Sequence, residues 1–441
     1  MIVQNPANAF TFIHTETTSV ACDPWITDGI YDGSWHVYPA LRKAHVDLGW
    51  VDAVVVTHIH ADHLDARALE LTGEAQIILP DVYPNRAVCA RRLVPAVQRR
   101  LSFRPISTPF QVGDLTLEFI PPMNRYGHLV DRYEEEDPEL AAIDTGIIIS
   151  DGSSKAVLLA DNFPYHLTSA GDSLVRMVGC EALLFPYNAC ADDYPTCHDN
   201  LTPEEKRSKS LARNRQRLNL LIDAFLHLRP KVTVPYSSDF LLAGPRALEF
   251  IEVHPREFLD KRHAAVLFGA ASGIPSRAMF EGDRLILGDG TFSVFREQAR
   301  SDIDFRAEAE RLLQLKLPTA DHPPTSDESF RALFAEAAAH MLERAPLSSA
   351  WYLELECSDS GLLVSVDLLT RRWHEGPAGR DSNVLRCTAP SGYLASLLSF
   401  RTHWDNAMIG YHLSWRRSPD TYDVGLYKAL NHLHVPLKAA A

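Results

Sequence analysis

Three histidines and an aspartate fall within six residues in the segment Thr57-His58-Ile59-His60-Ala61-Asp62-His63-Leu64. Neutral imidazole is the commonest metal ligand in proteins, and each buried ring needs a partner for both of its nitrogens. A packed apolar core does not satisfy so many imidazoles in one short loop. If the loop leaves a strand, His58 and His60 are two residues apart and can point the same way. Asp62 and His63 can then turn toward a neighbouring position. The spacing therefore predicts two adjacent metal positions.

The elements that must position these side chains are legible around them. Residues 51–56 (VDAVVV) form a continuous β-branched run, the mark of a strand buried on both faces, and the histidine loop follows it directly. Strand ends are where open α/β sheets place their sites. Further strands are expected at 77–79, 147–149, 156–160, 183–185 and 232–234, with a hairpin over 110–120 and helices over 65–72 and 84–100. A long helix is expected over 203–228, with Thr202 as N-cap, Pro203 at the first helical position, Glu205 completing a capping box and Pro230 ending it. Its first half is basic: Lys206, Arg207, Lys209, Arg213, Arg215 and Arg217. That run fits either an anion-binding surface or a solvated helix face. A Pro/Thr/Asp-rich stretch at 316–327 reads as a linker, which divides the chain into units of 1–255, 256–327 and 328–441.

Composition removes several function classes. Of 441 residues, 46% are hydrophobic and 23% charged, enough to bury a large core and too apolar for global disorder. The net charge is −14 (43 basic against 57 acidic residues), which argues against nucleic-acid and anionic-membrane partners. Seven cysteines, an odd number without a CxxC pair, predict no disulfide framework and a reducing cytoplasmic setting. No apolar run approaches a membrane span, and the first residues lack a secretory pattern.

The HxHxDH pattern after a hydrophobic strand resembles the metallo-β-lactamase superfamily. The resemblance implies an α/β chain folded as a four-layer αββα sandwich, here with a smaller C-terminal α+β domain. It implies that His58 and His60 hold a first metal, and Asp62 and His63 a second. It also implies a later third histidine and a bridging carboxylate. His128, 65 residues beyond His63, and Asp161, after the expected strand at 156–160, are the matching candidates. Hydrolases of this fold usually add a late histidine after a strand, but Tyr236 stands at that point in Val232-Thr233-Val234-Pro235-Tyr236. The second metal could then be absent, more weakly held, or completed by His166, His198 or Asp239.

A narrower resemblance is to CMP-N-acetylneuraminate hydroxylase and its bacterial relatives. It is carried by Cys22-Asp23-Pro24-Trp25, by Tyr194-Pro195-Thr196-Cys197-His198-Asp199-Asn200-Leu201-Thr202, and by His403-Trp404-Asp405-Asn406-Ala407-Met408-Ile409-Gly410-Tyr411. It implies a non-haem iron oxidoreductase, a monooxygenase using one or two Fe ions and acting on a small polar or anionic molecule. That family draws electrons from a Rieske domain with two Cys and two His ligands, and no such pair is present in this sequence. An external electron donor, or the substrate itself, is the expected source. The rival expectation is a Zn- or Mn-dependent hydrolase of an ester, lactone, amide or phosphodiester. There a metal-bound water has its pKa lowered to about 7, with Asp62 or Asp161 orienting it. Imidazole and carboxylate ligands alone do not separate these metals. His198, Tyr236, Arg213 and His403 are the expected substrate-binding residues.

Overall fold

The computed structural model describes residues 1–41, 47–123, 143–288, 290–296, 304–345, 350–379 and 382–436. Two mixed sheets form its N-terminal part. The first holds β1 (Ile2–Ala7), β2 (Phe10–His14), β3 (Ser19–Cys22), β5 (Ala53–Val55), β6 (Gln76–Pro80), β7 (Leu101–Arg104), β15 (Arg284–Gly288) and β16 (Thr291–Phe295), in the order β16-β15-β1-β2-β3-β5-β6-β7. The second holds β8 (Phe110–Val112), β9 (Leu115–Ile120), β10 (Gly146–Ser150), β11 (Lys155–Leu158), β12 (Ala182–Pro186) and β13 (Val232–Tyr236), in the order β13-β12-β11-β10-β9-β8.

Side-chain alternation builds the layers. Val20, Val55 and Ile78 of the first sheet share one core with Phe119, Ile147, Leu158 and Leu184 of the second, so the sheets pack face to face. On the outer face of the first sheet, Val54 and Ile77 pack against Leu69 and Cys89 of helices Ala66–Glu70 and Tyr83–Arg92. On the outer face of the second, Val157, Leu183 and Phe185 pack against Leu221 and Phe225 of helix Pro203–Leu228 and Phe268 of helix Lys261–Ser272. The result is the expected αββα sandwich. The long helix starts with the expected Thr202–Glu205 capping box. Strands β15 and β16, within the segment expected as an extension, pair antiparallel and join the edge of the first sheet through β15 and β1.

A short two-stranded sheet pairs β4 (Trp35–Val37) with β14 (Phe240–Leu242). The C-terminal part is α+β: a five-stranded sheet in the order β19-β18-β17-β20-β21, with β17 at Trp351–Cys357, β18 at Leu363–Asp367, β19 at Arg372–Glu375, β20 at Asn383–Ala389 and β21 at Ser414–Ser418. Helices Asp327–Arg344 and Ser391–Leu398 pack against it. One apolar cluster joins Trp25, Trp35, Phe240 and Phe250 to Leu353, Leu394, Trp404 and Trp415, so the two parts share a core. Among the described residues, no helix is long and apolar enough to cross a membrane.

Candidate metal centre

The histidine loop leaves β5 at the edge where the second sheet brings its own strand ends. Thr145 Oγ1 donates to the Thr57 carbonyl at 2.5 Å and ties the start of β10 to the loop. Strands β10 and β11 run antiparallel with Ile147 opposite Leu158, and continuing that register brings Asp144 opposite Asp161. Two groups of ligand atoms result, His58 with His60 and Asp144, and His58 with His63 and Asp161, each within 4.8 Å. His58 and His63 are fully buried, whereas the side chains of His60, Asp144 and Asp161 keep about a quarter of their surface open to solvent.

The separations fit shared ions. His58 Nε2 lies 2.8 Å from His60 Nδ1 and 3.7 Å from Asp144 Oδ1, and His60 Nδ1 lies 3.8 Å from Asp144 Oδ1. His63 Nε2 lies 3.5 Å from Asp161 Oδ1 and 3.3 Å from Asp62 Oδ2. Ligands about 2.1 Å from one ion stand roughly 3.0–3.5 Å from one another. His63 Nε2 and Asp144 Oδ1 are buried without a hydrogen-bond partner, a cost that a bound cation removes. The residues present therefore fit a metal.

The backing of the rings fixes which nitrogen faces inward. Thr57 Oγ1 donates to Asp23 Oδ2 at 2.7 Å, so it accepts from His58 Nδ1 at 3.1 Å. His63 Nδ1 donates to the same Asp23 oxygen at 2.8 Å. In both rings Nδ1–H is committed to this backing, which leaves Nε2 as the nitrogen turned to the cluster, the usual arrangement behind metal-bound imidazole. Asp23 follows β3 in the segment Cys22-Asp23-Pro24-Trp25; the sequence carries it in plain sight, but its role shows only once β3 pairs with β5.

The electrostatics are those of a crowded acid–base cluster. Burial, with His63 and His60 beside it, pushes His58 well below the ordinary imidazole range. Burial opposes charge on His63 too, but Asp62, Asp23 and Asp161 outweigh it and raise that imidazole well above its usual value. Burial likewise opposes charge on Asp62, and His63 with the Tyr31 hydroxyl overcomes it, holding the carboxyl far below the usual range. Burial raises Asp144 to about 6, with the charges of Asp161 and of Asp405 adding to it.

The expected residues fall into distinct places. His58, His60, His63 and Asp161 come together. Asp62 lies beside His63 but outside both three-residue groups; its oxygens accept from Tyr31 Oη at 2.5 Å and Asn8 Nδ2 at 3.2 Å. His128 lies outside the described residues; among the described residues the carboxylate of Asp144 sits beside His58 and His60. The signal for Asp144 was an acid just before an apolar strand; only the antiparallel pairing with β11 reveals that this strand start shares an edge with Asp161.

The buried Tyr236 hydroxyl accepts the Ala160 N–H, so Tyr236 braces the backbone before Asp161 rather than standing at an open surface. Arg213 engages Asp192 and the Tyr194 carbonyl. His198 is 1% exposed, packs on Tyr194, and is lowered to about 3 by burial and Arg417. His166 heads a short helix at Leu167–Ala170, and Asp239 pairs with Lys261 at 2.8 Å. His403 caps helix Trp404–Ile409, which carries Asp405. The basic run divides: Arg207 and Arg215 lie on the exposed helix face, as the solvated-face expectation has it, while the other four are engaged by the body of the protein. Lys206, Lys209 and Arg213 pair with Glu249, Asp420 and Asp192, and Arg217 donates to the Asn188 carbonyl.

Two mixed sheets face to face, helices on both outer faces and an HxHxDH loop at the converging strand ends define the metallo-β-lactamase fold, and this chain has it. No protein-family model matches the chain. A curated protein of Mycolicibacterium smegmatis, described as "Putative Rieske 2Fe-2S iron-sulfur protein", is 32% identical over 117 residues, 26% of this chain and 20% of that protein. The match thus spans about a fifth of the relative's length. Among solved structures, Igni18, a metallo hydrolase of Ignicoccus hospitalis, is similar at 16% identity over 67% of this chain and 99% of its own, with a TM-score of 0.40. CmlA, a diiron β-hydroxylase of Streptomyces venezuelae, is similar at 14% identity over 67% of this chain and 54% of its own, with a TM-score of 0.39. The fold assignment rests on the strand order and layer packing of this chain.

Proposed function

We propose that this chain is a non-haem iron enzyme, an O2-dependent oxygenase acting on a small polar or anionic metabolite. The hydroxylase-like segments and the tyrosine at the late-histidine position carry the reading, and the donor set is compatible with it. Three imidazoles, His58, His60 and His63, stand with three carboxylates, Asp62, Asp144 and Asp161, while Tyr236, at the sequence position of the hydrolases' late imidazole, is committed to the Ala160 N–H. Imidazole and carboxylate donors suit non-haem iron as they suit zinc or manganese, and the resemblance to the hydroxylases is what favours iron here. Bound iron supplies the electron transfer that O2 activation requires.

The chain's own residues have separable tasks in this reading. His58, His60 and Asp144 hold one ion, and Asp62, His63 and Asp161 the other. Asp23 and Thr57 keep two rings in the ligating tautomer. The open side of the cluster, at His60, Asp144 and Asp161, admits substrate. Asp405, whose charge reaches Asp144, marks the C-terminal side of this opening, and His403, 3.3 Å from Asp405, is kept as the candidate substrate contact. Electrons come from a separate donor or from the substrate; the iron–sulfur name of the mycobacterial relative supports a protein donor. All seven cysteines are free and buried, in keeping with a reducing cytoplasm.

Metal analysis of protein expressed without added metal, together with oxygen-electrode measurements on candidate substrates, tests the reading. Iron approaching one ion per ligand group, with O2 uptake, supports it. Tightly held zinc with O2-independent ester or lactone cleavage would establish the hydrolase instead.

A further inference from the structure

The segment Gly29-Ile30-Tyr31-Asp32-Gly33 turns back on itself beside the metal centre. Tyr31 (φ 50°, ψ 61°) and Asp32 (φ 55°, ψ 37°) are both left-handed, between Gly29 at φ 80° and Gly33 at φ 94°. Side-chain-bearing residues rarely adopt this region, and consecutive ones persist only where their surroundings impose it. Gly33 has a second constraint: a Cβ there would stand 2.4 Å from Pro318 Cδ.

The imposing contacts come from the C-terminal part. Asp32 Oδ2 accepts from Tyr393 Oη at 3.1 Å and from Thr402 Oγ1 at 2.7 Å. The Tyr31 carbonyl accepts from His412 Nε2 at 2.8 Å. Trp35, whose ring lies edge-on to Tyr31 at 4.9 Å, donates through Nε1 to the Ile409 carbonyl at 2.8 Å. The other end of Tyr31 reaches the centre, where its hydroxyl donates to Asp62 Oδ1 at 2.5 Å. Asn8 occupies the second Asp62 oxygen, and that oxygen faces His63 Nε2 at 3.3 Å.

We infer that the C-terminal part is a working component of the metal centre: by clamping Tyr31 and Asp32 it holds the Tyr31 hydroxyl on Asp62 and so orients this carboxylate toward the ion beside His63. Tyr31 is a positioning residue, and Asp32 acts through it. Burial and the Asp62 charge keep the phenol protonated, as a donor to Asp62 must be. The inference rests on the reading that Asp62 is a ligand.

The test uses the metal-stripped full-length chain, titrated with Zn(II) against a chromophoric chelator, with thermal unfolding of the metal-free protein in parallel. Wild type is expected to bind two ions. Tyr31→Phe keeps the ring and removes the hydroxyl. It is expected to weaken one of the two ions about tenfold to a hundredfold, as loss of a ligand's hydrogen-bond partner does, and to leave the other unchanged. Asp32→Asn is expected to weaken the same ion, and the double variant to be no worse than Tyr31→Phe alone, because the two act in series. Unchanged affinity at both positions in Tyr31→Phe overturns the inference, as does an Asp32→Asn variant that unfolds earlier with both affinities intact. A wild type that binds no ion defeats the metal reading itself, a separate result.

Discussion

At the scale of residues, the cluster is organised by one carboxylate that does not face it. Asp23 receives both the Thr57 hydroxyl and the His63 Nδ1–H, so its charge acts on the orientation of two candidate ligand rings at once. Asp23→Asn should therefore lower metal affinity about tenfold to a hundredfold while leaving the fold intact, measured by chelator competition and circular dichroism. The raised imidazole of His63 predicts a pH dependence in the metal-free protein. Its folded-state value lies above its unfolded one, so the stabilisation is complete below about pH 6.5 and is lost as pH climbs through the raised folded value. Asp144, raised to about 6, gives a slope of the same sign between its ordinary value and 6, because the folded state binds the extra proton. Melting temperature without metal should thus fall as pH rises above neutrality. With metal bound the ion replaces the His63 proton, and that fall should disappear. A metal-free protein whose melting temperature is flat with pH across the alkaline range would contradict this.

At the scale of elements, the site is made by four strand boundaries meeting: the ends of β3, β5 and β11 and the start of β10. The ends of β5 and β11 were legible because each is a local apolar run followed by a ligand-type residue. The helix at Pro203–Leu228 was legible for a similar reason, since its capping box is written within four residues. Asp144 was not, because its place depends on an antiparallel partner further along the chain. The pairing of β15 with β1, across nearly the whole N-terminal part, is non-local in the same sense. Tyr236, at the end of β13, carries a prediction of its own. Its hydroxyl is the acceptor for the N–H of Ala160, which sits at φ 52° directly before Asp161. Tyr236→Phe should cost about 1–3 kcal/mol by leaving that buried N–H unpaired, read by denaturant unfolding. Ala160→Gly, which relieves the left-handed backbone, should be neutral or stabilising. Loss of stability in Ala160→Gly and none in Tyr236→Phe would contradict this account of the strand end.

At the scale of the whole molecule, composition divides the chain at a Pro-rich linker, while packing joins the two sides. Trp35 and Phe240, stacked with ring centroids 3.4 Å apart, lie in the same core as Trp404, Tyr411 and Trp415. Removing residues 328–441 should therefore expose a large apolar face and abolish cooperative unfolding of the remainder; a soluble fragment with a sharp melting transition would show the parts to be independent. The metal centre lies next to this junction, with Asp405 contributing to the raised Asp144 and the Tyr31 segment held from the C-terminal side. The central claim remains that acids and imidazoles from remote strands meet around cations. Anomalous diffraction from a crystal grown with metal tests it most directly. The account predicts two peaks about 3.5–4 Å apart, one among His58, His60 and Asp144 and one beside His63 and Asp161, the pair that also groups with His58 and has Asp62 at 3.3 Å from His63. Peaks absent from this cluster, or a single ion bound by other residues, would contradict it.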